Sequence, residues 1–143
     1  MTSFTFFGDT AGDLAGAGGN QTRRGRPVDE NILVGDAGGR LLGGAVGGDD
    51  ALFGIAGAIN RLSGDSLGRS LGGAVAGADT LVGAGGASYN HLDGDSDFGF
   101  GETVQGGNDL LRSVASPAAI SVMSGDATDI GDHGRGGADT LLG

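Results

Sequence analysis

Aspartate recurs in this chain within two motifs, and each motif repeats at a regular spacing. In the first motif, apolar-x-Gly-Asp, the aspartate follows a glycine. In the second, Gly-x-Asp-x-Leu, it lies between a glycine and a leucine. The aspartates of the first motif are Asp9, Asp36, Asp65, Asp95 and Asp126, and those of the second are Asp50, Asp79, Asp109 and Asp139. Carboxylates and backbone carbonyls are hard oxygen ligands, so aspartates aligned on glycine-rich turns are suited to holding divalent cations.

The spacing of the two motifs defines a repeat of about 30 residues. Aspartates of the first motif recur every 27 to 31 residues, and those of the second recur every 29 or 30. Close to five copies fill the chain. Internal repetition of this period is typical of stacked architectures. We interpret residues 1–143 as a single repeat domain, with an irregular first coil at about 1–32 and regular repeats at about 33–143.

Three apolar positions recur within the repeat, 7 to 12 residues apart along the chain. This spacing fits short strands joined by tight turns and does not fit the i, i+3, i+4 pattern of a helix. Helix is also disfavoured because 34 of the 143 residues are glycine, and each costs about 1 kcal/mol relative to alanine inside a helix. When the copies are aligned, these positions form three apolar columns. The first is Phe6, Leu33, Leu62, Leu92 and Met123; the second is Leu14, Leu42, Leu71, Phe100 and Ile130; the third is Leu52, Leu81, Leu111 and Leu141.

The pattern predicts an all-β fold, a parallel β-solenoid of about five coils with glycine- and aspartate-rich corners. A single coil cannot bury its apolar residues, but a stack turns each apolar column into an inward-facing ladder. Three columns favour a coil with three sides. A flattened two-sided β-roll, with about 15 residues in each half-coil, is the alternative.

Stacking would also align the aspartates, at roughly 5 Å between neighbouring coils. Each repulsion would then cost about 1 kcal/mol in water and several-fold more at a half-buried site. The formal net charge is −10, and no arginine recurs beside either set of aspartates. We therefore expect several Ca²⁺ ions between the coils, with all nine aspartates as ligands. For the Gly-Asp set the alternative is an aspartate that caps its turn through backbone amides.

Composition excludes several functional classes. Cysteine is absent and all eight basic residues are arginine, which excludes thiol chemistry, a P-loop and a lysine Schiff base. The acidic charge disfavours nucleic acid as a partner. No apolar run approaches the ~18 residues of a spanning helix, and Met1–Asp9 lacks the features of a cleaved signal peptide.

No residue pattern favours catalysis, and we predict that the chain is not an enzyme. Residues 64–68 match G-x-S-x-G, but they are one copy of the repeated Gly-Asp corner and lack the strand-turn-helix context of a nucleophile elbow. His91 and His133 do not recur at equivalent positions, so we expect both to be solvated.

Three segments resemble the RTX, or haemolysin-type, calcium-binding repeats. They are Gly-Gly-Asp-Asp-Ala-Leu-Phe-Gly (47–54), Gly-Gly-Asn-Asp-Leu-Leu (106–111) and Gly-Gly-Ala-Asp-Thr-Leu-Leu-Gly (136–143). The consensus of that family is G-G-x-G-x-D-x-U-x, where U is a large apolar residue. The resemblance implies a secreted parallel β-roll that holds Ca²⁺ between its turns and folds only with calcium. Because the period is about 30 residues and tandem nonapeptides are absent, the chain resembles a long-period variant. The resemblance extends ligand roles to Asp50, Asp79, Asp109 and Asp139.

The two ends of the chain suggest self-association. In the first coil a cluster of Arg23, Arg24 and Arg26 replaces the second motif; it is either a solvated insertion or a positive end that meets a negative one. Repeats reach both termini, and joining the end of one copy to the start of another nearly keeps the spacing. We therefore expect copies to associate end to end in an extracellular filament or surface layer. We also expect export without a cleaved signal peptide, and association with a cell surface or matrix. The alternative is a monomeric calcium-dependent RTX module that aids secretion or folding of a secreted enzyme, toxin or adhesin.

Overall fold

The protein is a parallel β-solenoid, as the sequence predicts. A computed structural model describes residues 1–114, 120–127 and 129–143, and within these ranges it contains strands, bridges and turns but no helix. The strands are β1 (Ser3–Phe7), β2 (Thr22–Arg24), β3 (Glu30–Val34), β4 (Ala51–Phe53), β5 (Ile59–Ser63), β6 (Thr80–Gly83), β7 (Tyr89–Asp93), β8 (Leu110–Ser113), β9 (Ile120–Ser124) and β10 (Thr140–Leu142).

The strands alternate between two sheets. The odd-numbered strands form a five-stranded sheet in the order β1-β3-β5-β7-β9, and the even-numbered strands form a second in the order β2-β4-β6-β8-β10. Every neighbouring pair is parallel. Each strand therefore pairs with the strand one repeat later, so five layers stack along the axis of the solenoid.

The third predicted side is present as single-residue bridges instead of a sheet. Parallel bridges join equivalent positions of successive coils after each odd-numbered strand, as in Ala37 to Ser66 and Ser66 to Ser96. A second series, which includes Val46 to Val75, precedes each even-numbered strand. Glycine-rich turns interrupt this side, so its parallel contacts do not extend into strands.

The first and third apolar columns form the core between the two sheets. Register places Leu33, Leu62 and Leu92 opposite one another, and it does the same for the leucines of the even-numbered sheet. The core leucines are at most 1% exposed and form one cluster; they are Leu33, Leu52, Leu62, Leu81, Leu92 and Leu111. Both predicted columns are confirmed.

The second predicted column is wrong by one residue in two coils. Leu41, not Leu42, pairs with Leu14, and Ser70, not Leu71, pairs with Phe100. The reason is a tight turn that starts at the next residue, where the carbonyls of Leu42 and Leu71 each accept a hydrogen bond from the amide three residues later. Gly44, the third residue of the first such turn, has a φ of 81°, a conformation that glycine adopts without strain. Leu42 and Leu71 are consequently half-buried, while Leu41 and Phe100 fill a second cluster.

A ladder of buried asparagines closes the corner that leads into the odd-numbered sheet. Asn31, Asn60 and Asn90 are opposite one another and fully buried. Each side-chain amide both donates to and accepts from one backbone residue five or six positions earlier; these partners are Arg26, Ile55 and Ala84. Asn60 also donates to the Asn90 Oδ1, at 3.0 Å. The regular spacing of these asparagines was visible in the sequence, but only the structure shows what they bind.

Candidate metal centre

The nine predicted aspartates form two columns that lie side by side. The Gly-Asp column precedes the bridged side, and the second column precedes the even-numbered strands. Carboxylate oxygens of Asp65, Asp79 and Asp95, which come from both columns, all lie within 4.8 Å of one another. The sequence predicted each column separately but not their contact. Asp9, Asp126 and Asp139 continue the columns into the first and last coils, where they are exposed or half-buried.

In the second column, one oxygen of each aspartate binds the backbone of the preceding coil. The Asp50 amide donates to the Asp79 Oδ1 at 2.6 Å, and the Asp79 amide donates to the Asp109 Oδ1 at 2.7 Å. The Asp109 amide bonds to Asp139 in the same way. In the first coil Gln21 takes the equivalent place, since its amide donates to Asp50 at 2.6 Å. Each Oδ1 therefore links two layers.

In the Gly-Asp column, each carboxylate instead links two corners of its own coil. The Gly48 amide donates to the Asp36 Oδ2 at 2.8 Å, twelve residues away. Equivalent bonds join Asp9 to Gly19, Asp65 to Gly77, Asp95 to Gly107 and Asp126 to Gly137. The sequence-based alternative, a cap on its own turn, is close to this arrangement, but the amide belongs to the next glycine corner.

Four carboxylate oxygens in these columns are buried and have no hydrogen-bond partner. They are the Asp36 Oδ1, Asp50 Oδ2, Asp79 Oδ2 and Asp109 Oδ2. A buried charged oxygen without a partner is strongly unfavourable. These lone pairs therefore need a proton or a cation.

Backbone carbonyls converge on the same positions as the free carboxylate oxygens. A Cβ added to Gly64 would collide with both the Gly94 carbonyl oxygen and the Asp79 Oδ2. Gly35 and Gly94 show the same pair of neighbours, one coil earlier and one coil later. Each corner thus offers an aspartate oxygen and a carbonyl oxygen, which is a donor set for a hard cation.

Burial shifts the titration of the six inner aspartates. Desolvation, followed by the charges of neighbouring carboxylates, raises the pKa of Asp36, Asp50 and Asp109 to about 7 each and that of Asp95 to about 10. The pKa values of Asp65 and Asp79 are also raised well above the ordinary value, for the same reasons. Within the described ranges, no column aspartate forms an ion pair. Among the described residues, no cationic side chain therefore neutralises the aspartate columns.

The residues present fit a calcium ion. Ca²⁺–oxygen distances of about 2.3 to 2.6 Å allow two ligand atoms on opposite sides of one ion to lie about 5 Å apart. The oxygens of Asp65, Asp79 and Asp95 meet this limit. The unpartnered carboxylate oxygens and the glycine carbonyls would hold the ion, while the other oxygens keep their backbone bonds.

The arginine cluster lies in and next to the first strand of the even-numbered sheet, where Arg23 is half-buried and Arg24 and Arg26 are exposed. Arg23 lies in β2 opposite Leu52, so it takes the inward position that leucine holds in later coils. Its guanidinium lies 4.7 Å from the ring centroid of Phe6, and that of Arg26 lies 4.2 Å from the centroid of Phe4. The Arg23 Nε is buried without a hydrogen-bond partner.

No protein-family model, curated protein or solved structure matches this chain in the three corresponding searches. Within the described residues, there is no helix with the length and apolar character needed to cross a membrane.

Proposed function

We propose that this protein is a calcium-binding structural protein, an RTX-like β-solenoid that holds several Ca²⁺ ions between its two aspartate columns. The observation that carries the proposal is the set of four buried, unpartnered carboxylate oxygens, of which those of Asp50, Asp79 and Asp109 lie beside glycine carbonyls. Ca²⁺ would supply the positive charge that these groups lack. The proposed role is structural and not catalytic.

Calcium binding would be coupled to folding in this arrangement. The ligands come from different coils, so the complete site exists only in the folded stack. A ligand that binds only the folded state stabilises it by mass action. Each bound Ca²⁺ would also offset two of the formal −10 charges.

Chelation tests the calcium proposal. We expect a chelator to abolish the β-sheet circular dichroism signal at neutral pH, and we expect Ca²⁺ to restore it while Mg²⁺ at equal concentration does so less well. Unchanged dichroism after complete calcium removal, confirmed by metal analysis, would contradict the proposal.

A pair of charge-neutralising variants locates the ions. Asp79→Asn keeps an Oδ1 that can accept the Asp50 amide but replaces the unpartnered oxygen, so calorimetry should show weaker calcium binding by tenfold or more. Asp49→Asn is the matched control, because Asp49 carries the same charge on the neighbouring exposed surface. Equal calcium affinity in the two variants would place the ions elsewhere.

We further propose that copies stack end to end into an extracellular filament or surface layer. The two outer layers leave sheet edges open within the described chain, and open edges pair readily with further strands. In the last coil Ile130 and Leu141 are 42% and 44% exposed, near the acidic ends of both columns. In the first coil Arg23 holds the position equivalent to Leu141. The apolar columns and opposite charges support a second copy as the partner.

Sedimentation in calcium tests the stacking proposal. Wild-type protein should form large species that electron microscopy shows as filaments or layers. Leu141→Arg should block them, because it would oppose Arg23 of the next copy. Leu142→Arg is the control, since Leu142 is similarly exposed, at 49%, but faces the other side of the strand. A calcium-loaded wild type that stays monomeric at high concentration would support the monomeric RTX module instead.

A further inference from the structure

A second cluster of possible metal ligands lies outside the aspartate columns and occurs in one coil. It consists of His91, Asp93 and Asp97, whose ligand atoms all lie within 4.8 Å of one another. In β7 the inward positions belong to Asn90 and Leu92, so strand alternation puts His91 and Asp93 on the other face. Asp97 follows the next corner.

The cluster is specific to this coil. Register places Arg61 and Val122 beside His91, and Ser63 and Ser124 beside Asp93. A repeat-derived explanation therefore does not apply to either residue. His91 has no histidine at the equivalent positions of other coils, and the sequence therefore predicts a solvated side chain. This prediction is wrong, because the His91 side chain is only 18% exposed.

Asp93 is a buried carboxylate with an incomplete set of partners. Its side chain is 4% exposed, and its Oδ2 lies 3.3 Å from the His91 Nε2. The Asp93 Oδ1 is buried and has no hydrogen-bond partner. In the preceding coil Ser63 satisfies the same position by donating to the Ser66 carbonyl at 2.8 Å. A hydroxyl with a partner has thus been replaced by a carboxylate oxygen without one.

Within the described residues, no arginine forms an ion pair with this carboxylate. Arg61 is the neighbouring cation on the strand, but its Nε donates to Glu30 at 3.0 Å, in the coil on its other side. Two adjacent carboxylates therefore face one imidazole.

We propose that His91, Asp93 and Asp97 form a second metal site, which takes a borderline transition-metal ion such as Zn²⁺. Imidazole nitrogen favours such ions over calcium, while the columns offer only oxygen. Zinc sites with three protein ligands leave a fourth position for water. In a tetrahedral site with bonds of about 2.1 Å, ligand atoms lie roughly 3.4 Å apart, close to the His91–Asp93 separation.

Zinc titration in saturating calcium tests this site without involving the columns. Calorimetry should show one additional Zn²⁺ per chain. In NMR spectra the ring signals of His91 should shift on zinc addition, while those of the exposed His133 should not. This measurement uses the wild-type chain and does not depend on the folding of a variant.

Two variants and one control complete the test. Asp93→Ser installs the residue that the adjacent coils carry at this position, and His91→Ala removes the nitrogen ligand; each should lower zinc affinity at least tenfold. His133→Ala should leave it unchanged. The proposal is overturned if zinc does not bind beyond the calcium sites, if His133 shifts in place of His91, or if both site variants bind zinc like the wild type.

Discussion

A column aspartate uses its two oxygens for different tasks. In Asp79, Oδ1 accepts the amide of Asp50, while Oδ2 is buried without a partner. The first oxygen fixes the orientation of the carboxylate, so the second is presented in a defined place. Asparagine could perform the first task, but only a carboxylate supplies the charge that a hard cation requires.

Glycine is required where these oxygens converge. Gly64→Ala would push a Cβ against the Gly94 carbonyl and the Asp79 Oδ2, so we expect a loss of about 3 kcal/mol or more of unfolding free energy, typical of severe overpacking. Urea denaturation in saturating calcium measures this loss. Gly16→Ala is the control, because nothing lies within 4 Å of its added Cβ; similar losses in both variants would contradict the crowded corner.

At the scale of the elements, the 30-residue periodicity correctly predicts which residues of successive coils lie opposite one another. Strand register, two apolar columns and both aspartate columns follow from spacing, because parallel stacking aligns equivalent residues. The one-residue error at Leu42 and Leu71 arose because each of these leucines begins a tight turn, so the preceding residue, Leu41 or Ser70, takes the paired position. The contact between the two aspartate columns depends on how the corners fold in three dimensions, which spacing along the chain does not encode.

The asparagine ladder should contribute strongly to the corner between the sheets. Asn60→Ala removes the partners of the Ile55 amide and carbonyl, and unsatisfied buried groups cost about 1 to 3 kcal/mol each. We expect a loss of about 2 to 4 kcal/mol in chemical denaturation with calcium present. Asn20→Ala, which removes one exposed bond to the Asp49 amide, should cost less than half as much; the reverse order would contradict a structural role for the ladder.

For the whole molecule, the raised pKa values predict opposite pH dependences with and without metal. A folded-state pKa of about 7 for Asp36, Asp50 and Asp109, against an ordinary 3.8, stabilises the metal-free fold fully below about pH 4. This stability is lost as the pH rises through 7. Calcium affinity should instead rise over this range, since the ligands must lose their protons.

Urea denaturation with a chelator and calorimetry with calcium, both from pH 4 to 8, check this prediction. The urea midpoint of the metal-free protein should fall as the pH increases from 4 and reach zero near neutral pH, where the chelated protein is expected to be unfolded. A midpoint that rises through the same window would show that the inner carboxylates are stabilised as anions by the protein itself.

Uniform parallel register makes the height of this molecule adjustable in fixed steps. Each β5-to-β7 or β6-to-β8 pairing repeats the pairing before it, so one complete period can be removed or duplicated without moving any residue out of its column. The change in height would be one strand spacing, about 4.8 Å, and both end surfaces would stay the same. The number of repeats in the chain therefore sets the height of the solenoid.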